Sequence, residues 1–250
     1  MDLSSYRNSE REMHRTADLM RLVPPRIESA LDIGARDGFF SRLLADHSTT
    51  VTALDLELPA IDHPRIHCEA GNAVSLRFDA GSFDLVFCAE VLEHIPTAML
   101  AQACRELTRV ARHSLLIGVP YEQDIRVGRT TCAACHGRNP PWGHVNRFDQ
   151  PRLRHLFAGC NVETVSFSGT GDAPTNFVAS ALMDMAGNPY GTYDQEEPCV
   201  HCGATLVRPT ARTLTQKLLT KAAFYSGAAS RPFHRQKPNW IHVLFRKREP

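Results

Sequence analysis

The chain has 250 residues, 43% apolar and 22% charged, a balance ordinary for a soluble globular enzyme. Its formal net charge of +1 gives the whole chain no argument for nucleic-acid or membrane binding. No run of about 18 apolar residues occurs, so no bilayer-spanning helix is expected.

In chain order, MDLSSYRNSEREMHRTADLM is polar and lacks the apolar core of a signal peptide, which predicts a cytoplasmic location. Residues 9–22 read as an amphipathic helix within an N-terminal helical segment, 1–24. From Ser29 short apolar runs alternate with helical stretches. SALDIG is a strand, FFSRLLADH a helix, and VTALDL, RIHCEAG and FDLVFCAE are three more strands. A helix over 97–112 leads to the strand SLLIGVP, then the helix QPRLRHLFAG and the strands NVETVSFSG and WIHVLFRKR. That alternation predicts an α/β fold with a parallel sheet covered on both faces.

Two segments, 121–147 and 172–238, break the pattern and read as insertions in a domain spanning 25–250. The second contains RTLTQKLLTKAAFYSG, a basic amphipathic helix with Leu214 and Leu218 beside Lys217 and Lys221. It reads as a packing or lid helix, or as a contact for an anionic or lipid-linked acceptor. Residues 206–250 hold ten Lys/Arg against one acid, suited to an anionic substrate, a phosphate-bearing lipid or RNA, or to a solvated face.

The stretch ALDIGARDGFF bares the backbone at Gly34 and Gly38 directly after the first strand. Glycine tolerates positive φ and lets a ligand or another chain segment approach closely. Asp32 and Gly34 close that strand, Asp55 closes the second, 21 residues after Gly34, and Asn72 follows the third. In an open α/β sheet, ligands bind beyond these carboxyl ends, and a carboxylate there suits the two hydroxyls of a ribose. Gly34-Ala-Arg-Asp-Gly38 is one glycine short of G-x-G-x-x-G, and Asp37 lies where a pyrophosphate would sit. The pattern suits a cofactor with an amino group and no phosphate.

LDIGARDG, ALDLE and FDLVFCAEVLEHIP together resemble class I S-adenosylmethionine-dependent methyltransferases over about residues 25–170 plus the last strand. The resemblance implies a seven-stranded, doubly wound Rossmann-like sheet. It implies that Asp32 and the Gly34 backbone, in the loop closed by Gly38, hold the methionine end, and that Asp55 holds the ribose. Asn72 and Ala73 would meet the adenine and Glu90 would close the pocket. Asn72 stands where an aspartate is commoner; its amide oxygen can still accept from the adenine amino group.

Cys132 and Cys135, and Cys199 and Cys202, form two C-x-x-C pairs that resemble zinc knuckles, one in each insertion. Four thiolates make a closed, structural Zn2+ site. The 63 residues between the pairs exceed ribbon spacing, so the fold would have to bring them together as a zinc-stapled insertion. A redox dithiol or unrelated free thiols are the other readings. His136 and His201 are nearby spare donors, and Cys68, Cys88, Cys104 and Cys160 read as buried thiols of a reducing compartment.

Methyl transfer to a hydroxyl needs the acceptor positioned and its proton removed. Glu90, Glu93 and His94 lie just beyond the fourth strand; Trp142 and His144 lie in PPWGHVNRFD. The Glu-x-x-Glu-His pattern with a later histidine resembles ubiquinone-pathway O-methyltransferases and small-RNA 3′-end 2′-O-methyltransferases, where such a set binds a divalent ion. Glu90, Glu93, His94 and His144 match that set, while metal-free family members also carry VLEH with these groups as helix-start polar residues. His144 as a direct base is the competing assignment, with Glu93 and His94 beside it as catalytic candidates. Trp142 and Phe148 could stack on a sugar or aromatic ring, with core packing the ordinary role for Phe148.

The resulting expectation is O-methylation of a small-molecule or sugar hydroxyl in a biosynthetic pathway, the acceptor including lipid-linked ones. The CxxC followed by WGH and FD also resembles methyltransferases of surface-glycan and natural-product pathways. RNA 2′-O-methylation and a non-catalytic zinc-bearing binding module are the alternatives; nucleic acid is the less favoured partner.

Overall fold

The computed structural model describes Arg7 and residues 9–171, 173–230 and 236–248. These form two compact units. One comprises the chain up to Tyr121, Phe148–Thr170 and the segment from Pro238; the other comprises Glu122–Arg147 and Gly171–Lys237.

The first unit begins with α1 (Glu10–Arg21), whose Ser9 N-cap accepts from the Glu12 N–H and whose first turn is acidic and last turn basic, matching the helix dipole. Then follow β1 (Ile27–Ile33), α2 (Phe39–Ala45), β2 (Ser48–Asp55), β3 (Ile66–Ala70), β4 (Phe83–Ala89), α3 (Thr97–Val110) and β5 (Ala111–Pro120). After the second unit's first segment come α4 (Gln150–Leu156), β8 (Cys160–Ser168) and β9 (Trp240–Lys247). The seven strands pair in the order β3-β2-β1-β4-β5-β9-β8. β1 through β5 are parallel, but β9 runs antiparallel to both β5 and β8, so the sheet is mixed where the alternation predicted a parallel one. The chain re-enters the sheet at the end where β8 stops, Trp240 pairing with Ser168, so β9 must run back against its neighbours.

β4 is buried along almost its whole length because both its faces are covered. Leu85 and Phe87 join Ala30, Val51 and Leu19 on one side of the sheet; Val86 and Cys88 join Leu31, Leu107 and Phe245 on the other. α3 reaches that second core through Leu100, Ala103, Cys104, Leu107 and Val110, the i, i+3, i+4, i+7 stripe of an amphipathic helix. Helix α1 is tied to the last two strands by Asp18, which accepts from Ser166 Oγ at 2.8 Å and pairs with His242 Nδ1 at 2.6 Å. Cys88, Cys104 and Cys160 are buried as expected, whereas Cys68, on edge strand β3, is only half-buried.

The second unit contains the short hairpin β6 (Thr130–Thr131) and β7 (Arg138–Asn139), a 3-10 turn at Pro141–Gly143, and helices α5 (Phe177–Met185) and α6 (Leu214–Ser230). Asn176 caps α5 by accepting from the Ala179 N–H and donates to Ser226 O and Ser230 Oγ, so the start of α5 meets the end of α6. The basic helix forms, but α6 buries Thr220 and Ala223 and leaves Leu214 and Leu218 exposed, contrary to packing through its leucines.

Candidate functional site

In the first unit the strand-end residues gather at one edge of the sheet. Gly34 and Gly38 both have positive φ, at 77° and 80°. A Cβ on Gly34 would lie 2.4 Å from Val91 Cγ2, and one on Gly38 2.4 Å from Ile61 Cδ1, so packing as well as φ demands glycine at both positions. The Gly34 N–H donates to Leu54 O at 2.8 Å, so its carbonyl is the group left to face a ligand.

Asp32 is fully buried and accepts from Ser41 Oγ at 2.6 Å. Burial, opposed by the Ser41 hydrogen bond and aided by the Asp55 charge, raises its pKa to about 7. Asp55 Oδ2 accepts from the Arg36 N–H and Oδ1 from the Leu56 N–H, which fixes the carboxylate while leaving each oxygen a second lone pair. Asn72 Oδ1 accepts from the Val74 N–H in a turn closed by Ser75 N–H to Asn72 O, and Ala73 is buried within it. Asn72 thus offers a ligand its amide nitrogen and one remaining lone pair.

Glu90 directly follows β4 with φ 58°, a strained backbone for a residue with a Cβ. Its Oε2 accepts from Trp240 Nε1 at 3.1 Å, and Oε1 lies 3.8 Å from the Arg15 guanidinium. Arg11 and Arg15 also stack on the Trp240 ring, and Arg15 pairs with the buried Glu12 at 2.7 Å. The sequence reading missed Arg15, Glu12, Ser41 and Trp240. Glu12 and Arg15 share one helix and Ser41 is nine residues from Asp32, but Arg15 and Trp240 meet Glu90 across long stretches of chain, 150 residues for Trp240, so no local spacing announces that cluster. Glu93 is wholly buried, and neither of its carboxylate oxygens has a hydrogen-bond partner among the described residues. Burial, then the Glu90 charge, drives its pKa well upward. Desolvation, then the Arg36 charge, lowers His94 to about 4, so its ring is neutral.

His144 belongs to the second unit. It is buried, and its Nδ1 lies 2.6 Å from Gln123 Oε1. Because an amide oxygen only accepts, Nδ1 carries the proton and Nε2 is the lone-pair nitrogen. Trp142 is 46% exposed with φ 57° and donates its backbone N–H to Gln195 Oε1 at 2.7 Å. Phe148 lies in the first unit's core at 1% exposure, so it packs and presents no ring for stacking.

The second unit also brings the four paired cysteines together. Cys132 and Cys202 sulfurs are 3.7 Å apart, Cys135 and Cys199 sulfurs 3.6 Å, and all four lie within 4.8 Å of one another. Zinc–sulfur bonds of about 2.3 Å in a tetrahedron place sulfurs about 3.8 Å apart. The sulfurs therefore fit one such ion. Each pair sits on a tight knuckle: Gly137 donates its N–H to Cys135 Sγ, and the Gly203 N–H donates to Cys199 O with φ 73° at Gly203. A Cβ on Gly137 would lie 2.4 Å from the His201 ring. His201 itself faces Arg138 O and not the sulfurs.

The model of a methyltransferase domain matches residues 31–115, which span β1 to β5. Ubiquinone biosynthesis O-methyltransferases from Aromatoleum aromaticum and Xanthomonas axonopodis pv. citri are 37% and 36% identical over 32% and 36% of this chain. The matched stretch spans 38% and 44% of those relatives' length. The solved structure of the N-methyltransferase NodS from Bradyrhizobium japonicum WM9 in complex with S-adenosylhomocysteine superposes with a TM-score of 0.54 at 15% identity, covering 99% of this chain and 93% of NodS. Over β1 to β5 this chain is thus similar to the methyltransferase domain family, and its seven-stranded α/β fold is that of the solved methyltransferase.

Proposed function

We propose that the chain transfers a methyl group from S-adenosylmethionine to the hydroxyl of a small molecule, sugars and lipid-linked compounds being the acceptor classes that fit. The carrying observation is Glu93: a wholly buried carboxyl with two unpartnered oxygens, three residues beyond the strained Glu90 at the cofactor edge. Burying such a group without a hydrogen bond costs about 1–3 kcal/mol or more, a cost a ligand that donates to it removes. An acceptor hydroxyl or a divalent ion would do so. The ubiquinone-pathway relatives support oxygen as the methylated atom.

The cofactor supplies a methyl carbon on a sulfonium, open to in-line displacement. Asp32, the Gly34 carbonyl, Asp55, Asn72 and Ala73 hold and orient it, and Glu90 closes the pocket. The acceptor oxygen bonds the methyl carbon as the carbon–sulfur pair returns to sulfur. The hydroxyl proton passes to His144 Nε2 or to Glu93. In the metal-assisted form of this reading Glu90, Glu93, His94 and His144 would hold a divalent ion, which would supply a Lewis acid to lower the pKa of the hydroxyl. Cys132, Cys135, Cys199 and Cys202 hold a structural zinc. An acceptor screen with methyl-labelled cofactor tests the reading: label in an ether-linked product supports it, and label on nitrogen or on no acceptor overturns it.

Two further outcomes concern the cofactor. Asp55→Ala is expected to weaken S-adenosylhomocysteine binding by about 1–3 kcal/mol through lost ribose hydrogen bonds. Calorimetry measures this, and an unchanged affinity would remove Asp55 from the site.

Asp32 gives a pH signature. Its folded pKa of about 7 lies above the ordinary 3.8, so its contribution to stability is full below the latter and is lost as pH rises through 7. The slope approaches about 1.4 kcal/mol per pH unit between those values. The stability of the ligand-free protein should therefore fall between pH 5 and pH 8 by about 2–3 kcal/mol more than that of Asp32→Asn, seen as a larger drop in melting temperature. The ammonium of S-adenosylhomocysteine favours the ionised carboxylate, so its stabilising effect should grow over the same range. Identical melting profiles for the two proteins would show that Asp32 is ionised throughout.

A further inference from the structure

The helical pair of the second unit carries a surface that neither the cofactor residues nor the thiolate cluster uses. Helix α6 turns Thr220 and Ala223 inward, and its Gly227 lies against Ala179 of α5. On the opposite side Leu214, Leu218 and Tyr225 follow at helical spacing, 74%, 61% and 67% exposed. Phe224, 53% exposed, meets the Tyr190 ring at 5.3 Å, and the Arg212 guanidinium stacks 5.0 Å over that ring. Phe177, at the start of α5, is 80% exposed. One exposed leucine would mean nothing, but leucines and aromatic rings over the first three turns of a 17-residue helix, Leu214 to Tyr225, make a continuous exposed apolar face.

Charge selects the occupant. Lys217 and Lys221 sit among the apolar residues, and α6 contains no acid. Asp184, the acid of α5, is 7% exposed and is held by Arg129 and Arg138. Leucines and aromatic rings with lysines and an arginine between them, and no exposed carboxylate on either helix, match the boundary of an anionic bilayer. The apolar groups enter the acyl edge there, while lysine stems lie along it and their ammonium groups meet lipid phosphates. A second copy of this chain would instead set these cations against themselves. We propose that the α5–α6 face seats on an anionic phospholipid bilayer.

Flotation of the full chain tests this with phosphatidylcholine vesicles and with vesicles containing about one-third phosphatidylglycerol. The expected result is binding to the anionic vesicles, weak binding to the neutral ones, and weakening as salt is raised. Lys217→Glu with Lys221→Glu should lower binding about tenfold or more, and so should Leu218→Asn with Phe224→Ser. All four positions are exposed, so both variants should melt as the parent does, and a third pair, Leu214→Asn with Tyr225→Ser, replaces either variant that does not. The proposal is overturned if neither vesicle floats the protein, or if correctly folded variants float like the parent. A dimer abolished by Leu218→Asn, with no vesicle binding, would give the face to a second copy and overturn it as well.

Discussion

Replacing His144 with alanine is expected to lower methyl transfer by about a hundredfold or more while S-adenosylhomocysteine affinity stays nearly intact. The direction follows from the tautomer. Gln123 Oε1 fixes the proton on Nδ1, so Nε2 is the nitrogen with the lone pair that taking a hydroxyl proton or a metal ion requires. Gln123→Ala should act in the same direction but less strongly, since it frees the ring without removing it. Glu93→Gln should cost a comparable factor to His144→Ala, because the amide keeps the shape of the buried side chain but can neither take up a proton nor bind a cation as a carboxylate does. Chelation separates the two forms of the reaction. With an ion at Glu90, Glu93, His94 and His144, EDTA abolishes activity and a divalent ion restores it; with a bare base, EDTA changes nothing. The thiolate-bound zinc is assayed in the same samples so that its loss is not mistaken for loss of a catalytic ion. If His144→Ala turns over at the parental rate, both forms fail and the histidine serves only packing.

Metal analysis of untagged protein is expected to find one zinc per chain. Removing it should cost several kcal/mol, and on the order of 10 °C in melting temperature for a chain of this size. The four sulfurs come from segments 64 and 70 residues apart in sequence, and their own unit offers little apolar burial beyond Tyr193 and Leu206 to replace the bonds. Cys132→Ser should therefore release zinc and expose Glu122–Arg147 and Gly171–Lys237 to protease while the sheet unit stays resistant. Zinc-free protein with unchanged melting and unchanged proteolysis would show that the thiols do not bind the metal.

The strands of the sheet unit were legible because parallel strands buried on both faces are continuous apolar runs, as in FDLVFCA, and these runs end where the polar groups Asp32, Asp55 and Asn72 begin. Gly34 and Gly38 were legible for a similar reason: positive φ is a local demand that few other residues meet. What they were for was only half visible. Both glycines also clear Val91 and Ile61, contacts that arise once the loops pack. The antiparallel course of β9 was hidden, because its residues alternate no differently from those of a parallel neighbour and direction depends on where the preceding insertion ends.

By itself, then, the sequence determined what local chemistry enforces: the order of strands and helices, the glycine turns, the acids at strand ends and the two knuckle-forming cysteine pairs. Tertiary structure decided what depends on meeting across distance. It brought the cysteine pairs within bonding range of one ion and set Arg15 and Trp240 against Glu90. It also buried Glu93 with no hydrogen-bond partner among the described residues and turned Leu214 and Leu218 of α6 outward. The physical reason is the range of the forces involved. Backbone sterics and hydrophobic periodicity act over a few residues and are written in the order of the chain. Ion pairing, desolvation and metal fit depend on distances that exist only after the chain has folded.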